Sequence, residues 1–368
     1  MTASIIQITQ DLVRMRTTTD RLDELKRAVD YIGAYFADVP SLIVKRFEQN
    51  GKPSIVVSTQ DTLTPDILLL GHLDVVPAPD DFFEPRMEGT KMMGRGVCDM
   101  KSECAVMMQM MRECSAVDAR PNIALMLTTD EEIGGEDGAG YLVNTIGYRA
   151  KVAIVPDGAR QPDEIVSINK GVLLVRLTAH GKRAHGSRPW LGDNAIDKLI
   201  ATYGRLRATF PLEANAQNIW VPTCNLGIIK GGEAVNQVPD LSTCDLDIRF
   251  TEELDAAGAF GRIKKFASDD VQVQLIASGE PIHTDPDHPL VKLYAASVEE
   301  HLGHAATFSK ACGSNDGRFL TALGIPVIIT RPLSGDQHSP DEWLETTSLS
   351  DFHRICTLAI TRFHASFH

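Results

Sequence analysis

Short apolar runs and longer amphipathic stretches alternate through the first 170 residues and again near the end of the sequence. Near-continuous apolar runs are typical of strands that are buried on both faces of a sheet. The predicted strands are Ile67–Leu70, Ile123–Thr128, Val152–Val155 and Pro326–Thr330, and Lys101–Cys114 has the pattern of a helix. We therefore predict an α/β domain in which a mostly parallel sheet lies between helices.

The middle of the chain follows a second order, strand–helix–strand–strand–helix–strand, which is the ferredoxin-like α+β arrangement. The predicted elements are Val172–Ala179, Asn194–Phe210, Cys224–Ile229, Thr243–Phe250, Glu253–Ala267 and Val271–Ile276. With boundaries near Gly171 and Gly279, residues 171–279 form an inserted domain. Residues 1–170 and 280–368 then form the two parts of the first domain.

Composition and charge disfavour several classes of protein and partner. The 368 residues include 49 acidic and 36 basic side chains, giving a formal charge of −13. A negative field disfavours nucleic acid and anionic membrane as partners. No apolar stretch approaches the ~20 residues that cross a bilayer, and Met1–Arg16 lacks the pattern of a secretory signal. The seven cysteines include no Cys-x-x-Cys pair, so we expect reduced cysteines in a cytoplasmic protein.

Polar, chemically capable residues follow each predicted strand of the first domain. The segments are Gly71–Asp74, Asp130–Glu132, Asp157–Gly158 and, through Arg331–Gln337, His338, and a further segment is the glycine-bearing turn Gly94–Lys101. Ligands of open parallel sheets bind beyond the carboxyl ends of the strands. We therefore expect these segments to form one site.

Each segment alone is weak evidence, because a histidine after a strand or an acidic turn is common without a function. A dinucleotide loop at Gly94–Gly96 is disfavoured, since the third glycine is missing and Asp99 would repel phosphate. Together, two histidines and several carboxylates form a mixed nitrogen and oxygen ligand set suited to zinc. One bridging and two terminal carboxylates with two histidines can give each of two metals three protein ligands.

Motifs in these segments resemble those of the co-catalytic zinc aminoacylase and carboxypeptidase family. The matching stretches are Gly71–Pro77, Gly94–Lys101, Thr129–Gly134 and His338–Glu342, in order and at family-like spacing, and the similarity runs from about Asp11 to Phe363. That family includes succinyl-diaminopimelate desuccinylase, acetylornithine deacetylase, glutamate carboxypeptidase and several dipeptidases. The resemblance implies that the inserted domain serves as a lid and mediates homodimer formation.

The resemblance also implies roles for individual residues. His72 and Asp157 would bind one metal, Glu132 and His338 the other, and Asp99 would bridge the two through a segment with a cis Asp99–Met100 peptide. The metals would be two divalent ions, zinc first, with cobalt or manganese as alternatives. Asp74 would orient His72, and Glu131 would be the general base and acid toward water that the metals activate.

Further contacts come from the same resemblance. His185, in the stretch Ala184–Pro189, would reach the partner subunit's active site and donate a hydrogen bond to the developing oxyanion. Asn236, Arg249 and Gly313 would contact substrate, with Arg249 holding a carboxylate at two points. Lys170 and Arg331 are expected to be surface charges, and Met107, Met108, Met110 and Met111 are expected to be core residues.

The function hypothesis is hydrolysis of the amide bond in a small anionic substrate, an N-acyl amino acid or a small peptide with a free carboxylate. Aspartate at position 157 favours a dipeptidase or aminoacylase, whereas Gly313–Arg318 is closer to desuccinylases and deacetylases, so this choice stays open. A catalytically silent metal-binding paralogue is the alternative from another class. A metallophosphoesterase would need ligand spacings and phosphate-binding groups that we do not find.

Overall fold

The computed structural model describes residues 2–210, 215 and 217–368. The chain divides into two compact units. The first comprises the chain up to Ile168 together with His283–Ala311 and Asn315–His368, and the second comprises Asn169–Ile282 and Cys312–Ser314. Within the described ranges, no helix is long and apolar enough to cross a membrane.

The first unit is built on a mixed sheet with a parallel centre. The strands are, in spatial order, Ile43–Gln49, Lys52–Ser58, Ile123–Thr128, Ile67–His72, Val152–Val155, Val327–Ile329, Glu164–Asn169 and Thr307–Ala311. The four strands from Ile123–Thr128 to Val327–Ile329 in that order run parallel to one another. All of their residues are buried, as a sheet covered on both faces requires, and the predicted fold class is confirmed.

Helices cover this sheet. The longer ones are Thr2–Val13, Leu22–Tyr35, Lys101–Ser115, Pro289–Leu302 and Ser348–Phe367, and Arg318–Thr321 forms a single turn. A π-helix covers Glu136–Ile146. The four methionines of Lys101–Ser115 are buried in the main apolar core, which confirms their predicted packing role. This helix follows the Gly94–Lys101 turn directly, and its packing in the core fixes the position of that turn.

A small antiparallel sheet, which the sequence pattern did not reveal, holds the segment before His338 near the glycine turn. Its strands, in spatial order, are Ser334–Gly335, Trp343–Glu345, Lys91–Met93 and Arg86–Glu88. Next to it, Glu342 accepts hydrogen bonds from the backbone N–H groups of Gly96 and Cys98, at 2.9 and 3.0 Å. The sheet therefore ties two segments that are far apart in sequence.

The second unit has the ferredoxin-like order. Its principal elements are the strands Gly171–His180, Thr223–Gly231, Leu241–Phe250 and Val271–Gly279, with the helices Ala195–Arg207 and Ala256–Phe266, and the short strands are Ala184–His185 and Gln237–Val238. The sheet order places Leu241–Phe250 and Gly171–His180 at the centre, with Thr223–Gly231 at one edge. Asn194 begins the first helix by accepting hydrogen bonds from Ile196 and Asp197.

Candidate active site

The parallel centre of the first sheet brings the predicted segments to one edge. Strands Ile67–His72 and Ile123–Thr128 pair so that His72 lies opposite Thr128 at their carboxyl ends. Val152–Val155 and Val327–Ile329 extend the same parallel set. Because every one of these strands is followed by a polar segment, the topology concentrates acidic and imidazole groups at one edge of the sheet.

Five side chains meet there in two groups that share Asp99. In one, the Nε2 atom of His72 lies 3.1 Å from Asp99 Oδ1 and 4.0 Å from Asp157 Oδ2. In the other, His338 Nε2 lies 3.2 Å from both Asp99 Oδ2 and Glu132 Oε1. Within each group the potential ligand atoms lie within 4.8 Å of one another. Each Asp99 oxygen thus faces a different histidine, an arrangement that could hold metal ions on both sides of one carboxylate.

The backbone around Asp99 is unusual. The Asp99–Met100 peptide bond is cis, as the resemblance implied. Gly94 and Gly96 have φ of 154° and 86°, conformations that favour glycine. At Gly96 a Cβ would lie 2.9 Å from a Lys101 side-chain carbon, so a larger residue would not fit without movement. The turn therefore needs glycine there to present Asp99 at the start of the central helix.

Asp74 has two roles in the geometry. Its backbone carbonyl lies 3.0 Å from His72 Nδ1, and its carboxylate lies 3.5 Å from the same nitrogen. The carboxylate also accepts hydrogen bonds from the backbone N–H groups of Glu131 and Glu132, at 3.2 and 3.0 Å. One buried carboxylate therefore supports the His72 ring and fixes the turn that carries both glutamates. The second contact was not expected from the sequence.

The electrostatics of the cluster suit cation binding. Burial lowers the pKa of His72, but Asp74 and Asp99 raise it more, so it lies well above 6.5. Hydrogen bonding with Asp99 and Glu132 raises the pKa of His338 to about 10. Burial raises the pKa of Asp157 to about 7. The carboxylates thus favour positive charge on both rings, and a divalent cation with carboxylate and imidazole ligands would supply that charge instead.

Glu131 lies beside the ligand groups. Burial, followed by the charge of Asp157, raises the pKa of Glu131 well above 4.5. Its backbone position is held by Asp74. A carboxyl group whose pKa is raised above its usual range is suited to take and return a proton. Catalysis by Glu131 and metal binding by the five cluster residues stay predictions.

Two sequence expectations are wrong. Arg331 is 2% exposed and Lys170 is 1% exposed, so neither is a surface charge. The Lys170 ammonium donates to the backbone carbonyl of Val221, 2.7 Å away, within the second unit. Arg331 contacts Cys98, Gly158 and Gln337, each of which is adjacent in sequence to a candidate ligand. A single charged residue after a strand gives no sign of burial, because its partners are distant in sequence.

The second unit contains the other predicted contacts. His185 and Asn236 line one depression of about 410 Å³, together with Arg183, Ala184, Ala234 and Gln237. The Nδ1 atom of His185 accepts from the Ser187 N–H at 3.1 Å, so the neutral ring carries its proton on Nε2. The structure thus brings His185 and Asn236 together.

Arg249 and Gly313 lie elsewhere in that unit. Arg249 is in strand Leu241–Phe250, and its guanidinium is held by the Asp247 carboxylate. Gly313 accepts a hydrogen bond from the Asn169 amide at 2.9 Å. Among the described residues, no atom lies within 4 Å of where a Gly313 Cβ would be, so open space adjoins it.

Comparisons with known proteins agree with this site. The sequence matches peptidase family M20/M25/M40 over residues 68–362. A succinyl-diaminopimelate desuccinylase of Variovorax paradoxus is 27% identical over 324 residues, covering 82% of this chain and 83% of that protein. An acetylornithine deacetylase of Klebsiella pneumoniae is 28% identical over 317 residues, covering 81% of this chain and 80% of that protein.

The fold also has solved counterparts. A metallo-carboxypeptidase of Sulfolobus solfataricus superposes with a TM-score of 0.81 at 16% identity, covering 98% of this chain and 99% of that one. At that identity the likeness concerns the fold alone. The family match spans most of the sequence and includes every candidate ligand of the cluster. The chain therefore belongs to peptidase family M20/M25/M40 and is a metal-dependent amidohydrolase.

Proposed function

We propose that this enzyme hydrolyses the amide bond of an N-acyl amino acid or a small peptide with a free carboxylate, using two divalent metal ions, zinc first. The observation that carries the proposal is the position of Asp99, whose two oxygens face His72 and His338 at 3.1 and 3.2 Å. A shared carboxylate with a histidine on either side supports a pair of ions rather than one.

The proposed ligands divide accordingly. His72 and Asp157 would hold one ion, Glu132 and His338 the other, and Asp99 both. Cobalt or manganese could replace zinc in a site of imidazole and carboxylate ligands. Bound metals would polarise the substrate carbonyl and lower the pKa of water. Asp74 would keep the His72 ring in place and hold Glu131 beside it.

Glu131 would move the proton. Its carboxylate would take a proton from the attacking water and return it to the leaving nitrogen. The raised pKa of this carboxyl, caused first by burial and then by Asp157, supports both halves of that exchange. General acid–base catalysis contributes about 10²–10⁴ in rate.

The second unit would supply the substrate contacts. With Nδ1 accepting from Ser187, His185 presents an Nε2–H donor that suits a developing oxyanion. Asn236 lines the same depression, and Arg249 would hold the substrate carboxylate. We propose that His185 completes the site of a partner subunit in a homodimer. The exposed apolar residues Ile228 and Ile229, 50% and 54% exposed on the edge strand Thr223–Gly231, support such an interface.

An N-acyl amino acid is favoured over a small peptide as the substrate. The desuccinylase and deacetylase named above align over about four-fifths of the chain. A dipeptidase activity is the second candidate, because residue 157 is an aspartate, as in dipeptidases of the family that the sequence resembles. A catalytically silent role has no support in the comparisons. The cysteines, all free thiols, suit the cytoplasm as the proposed location.

The test is a substrate panel. N-acetyl amino acids, N-succinyl amino acids and dipeptides would be assayed with zinc, cobalt or manganese, beside a Glu131→Gln variant as the matched control. We expect turnover of at least one class, lowered about 10²–10⁴-fold in the variant. The variant should bind zinc as the wild type does, because Glu131 is not a proposed ligand. Absence of turnover above that of Glu131→Gln across the panel would contradict the proposal.

A further inference from the structure

Arg331 lies two residues after strand Val327–Ile329 and is 2% exposed. A buried guanidinium is costly unless its donors are used and its charge is balanced. The contacts of this side chain therefore show which groups the buried charge stabilises. The family motifs in the sequence do not include this position.

The Arg331 guanidinium uses each of its nitrogens. The Nε atom donates to the backbone carbonyl of Gly158 at 2.9 Å. Nη1 donates to Gln337 Oε1 at 3.1 Å and lies 3.0 Å from Cys98 Sγ. Nη2 lies 3.6 Å from Asp157 Oδ1. One planar group thus makes contacts in several directions at once.

Each contact reaches a segment that carries a proposed metal ligand. Cys98 precedes Asp99, Gly158 follows Asp157, and Gln337 precedes His338. The Gln337 amide also lies 3.4 Å from Asp99 Oδ2. Three ligand segments that are far apart in sequence are therefore joined through one side chain.

The guanidinium suits this task in shape and in charge. Its five N–H donors are fixed in one plane, so contacts made from that plane set the relative positions of the groups they reach. Among the described residues, the candidate centre brings the carboxylates of Asp99, Glu132 and Asp157 together with two histidines. A permanent positive charge behind them offsets part of their mutual repulsion. A lysine ammonium would keep the positive charge but lose the fixed planar arrangement of N–H donors.

We propose that Arg331 is a positioning residue of the metal centre, holding the Asp99, Asp157 and His338 segments at the spacing that metal binding requires. It acts through the ligands and not on the substrate. This inference rests on the metal centre of the proposed function. It predicts that changing Arg331 alters metal affinity and coordination geometry even when the fold persists.

The test compares Arg331→Lys and Arg331→Met with the wild type after chelator treatment. Zinc affinity would be measured by competition with a chromophoric chelator, and the visible spectrum of the cobalt-loaded protein would report coordination geometry. Loss of an outer contact to metal ligands typically weakens metal affinity or activity 10–100-fold. We expect that loss for Arg331→Lys, with a changed cobalt spectrum, a similar fall in kcat and a KM within about twofold of the wild type.

Arg149→Lys is the matched control. Arg149 also donates to backbone carbonyls of the first unit, those of Val143 and Tyr148, but contacts no proposed ligand segment. This variant is expected to lower thermal stability while its zinc affinity and cobalt spectrum stay those of the wild type. A general effect of losing a guanidinium that donates to backbone carbonyls would instead appear in both arginine variants.

The outcomes separate this inference from the metal centre itself. Wild-type zinc affinity and an unchanged cobalt spectrum in Arg331→Lys would overturn the role of Arg331 and leave the metal centre standing. A wild-type protein that binds no zinc or cobalt would overturn both. If Arg331→Lys does not fold, Gln337→Met decides, because it removes the link that Gln337 makes between Arg331 and Asp99 without creating an unpaired charge. An unchanged cobalt spectrum there would likewise refute the inference.

Discussion

The carboxylate of Asp247 holds the guanidinium of Arg249 at two points, with Oδ1 2.7 Å from Nε and Oδ2 3.0 Å from Nη2. The two residues are on the same face of one strand, because side chains two apart in a strand point the same way. The pair of Arg249 N–H donors that we propose for the substrate carboxylate is therefore already occupied by an internal carboxylate. Substrate and Asp247 would compete for it.

Asp247→Asn should therefore improve binding of substrates with a free carboxylate. Partly exposed ion pairs contribute about 0–1 kcal/mol, so we expect KM to fall by up to about fivefold with kcat unchanged. The matched control is Asp245→Asn, which removes the partner of Arg176 on the neighbouring strand and should leave KM unaltered. Steady-state kinetics with a free acid and its carboxamide analogue would measure this, and an equal change for both would refute the competition.

Zinc binding should release protons at pH 7. Hydrogen bonding to Asp99 and Glu132 raises the pKa of His338 to about 10, and Asp74 and Asp99 hold the pKa of His72 well above 6.5. Because a metal takes the neutral ring, protons must leave when it binds, and zinc affinity should rise with pH from about 6 to 8. Calorimetry in buffers of different ionisation enthalpy would count them. Identical binding enthalpies in all buffers would exclude proton release.

Glu103 should make the protein less stable as pH rises. Burial raises the pKa of this wholly buried carboxyl to about 8, whereas in the unfolded chain it is about 4.3. The folded form keeps the proton that the unfolded form loses. The stabilisation is thus complete below pH ~4 and is lost as pH rises toward 8. Glu103→Gln should remove this loss and stabilise the protein at pH 8 by on the order of a few kcal/mol.

Thermal melting of Glu103→Gln and the wild type between pH 5 and 8 would check this. The difference in Tm should grow steadily with pH. The exposed Glu88 offers a control, because Glu88→Gln should follow the wild type at every pH. A constant difference between Glu103→Gln and the wild type would show that Glu103 does not keep its proton in the folded state.

Gly135 should not tolerate alanine. Its φ is +63°, and a Cβ there would lie 1.9 Å from Asp316 Oδ1. Gly135 also donates its N–H to the Asp130 carbonyl, closing the turn that contains Glu131 and Glu132. We expect Gly135→Ala to lose about 1–3 kcal/mol of unfolding free energy and to lower kcat.

Gly147→Ala isolates the backbone part of that effect. Gly147 also has a positive φ, +97°, but no described atom lies within 4 Å of its Cβ position. Denaturant unfolding should therefore show a smaller loss of stability, and kcat should be unchanged. Equal losses in the two variants would mean that the clash with Asp316 has no cost.

The apolar pattern predicted much of the fold. Ile123–Thr128 and Val152–Val155 have the bounds that their apolar runs indicated, because a strand buried on both faces must be apolar throughout. The short strands Ser334–Gly335 and Trp343–Glu345 were missed, since strands of two or three residues have no periodicity to detect. The register of Trp343–Glu345 depends on Lys91–Met93, which lies about 250 residues earlier in the sequence.

The sequence predicted those residues of the candidate site whose positions follow from the local sequence alone. His72 and Asp157 follow apolar strands, so a general rule about strand ends located them. Arg331 obeys the same rule but was taken for a surface charge, because its partners Cys98 and Gly158 are distant in sequence. The binding of the Glu131 and Glu132 amides by Asp74 likewise depends on two strands lying side by side. Such contacts become visible only after the chain has folded.

The interleaved order of the ligand segments has a consequence for biosynthesis. The group of Asp99, Glu132 and His338 needs a residue that the ribosome adds more than 200 positions after Glu132. The contiguous stretch Asn169–Ile282 emerges entirely in between. A nascent polypeptide therefore cannot assemble this half of the centre until translation has passed His338. Under the proposed function, a metal ion would bind to that half only after this point in translation.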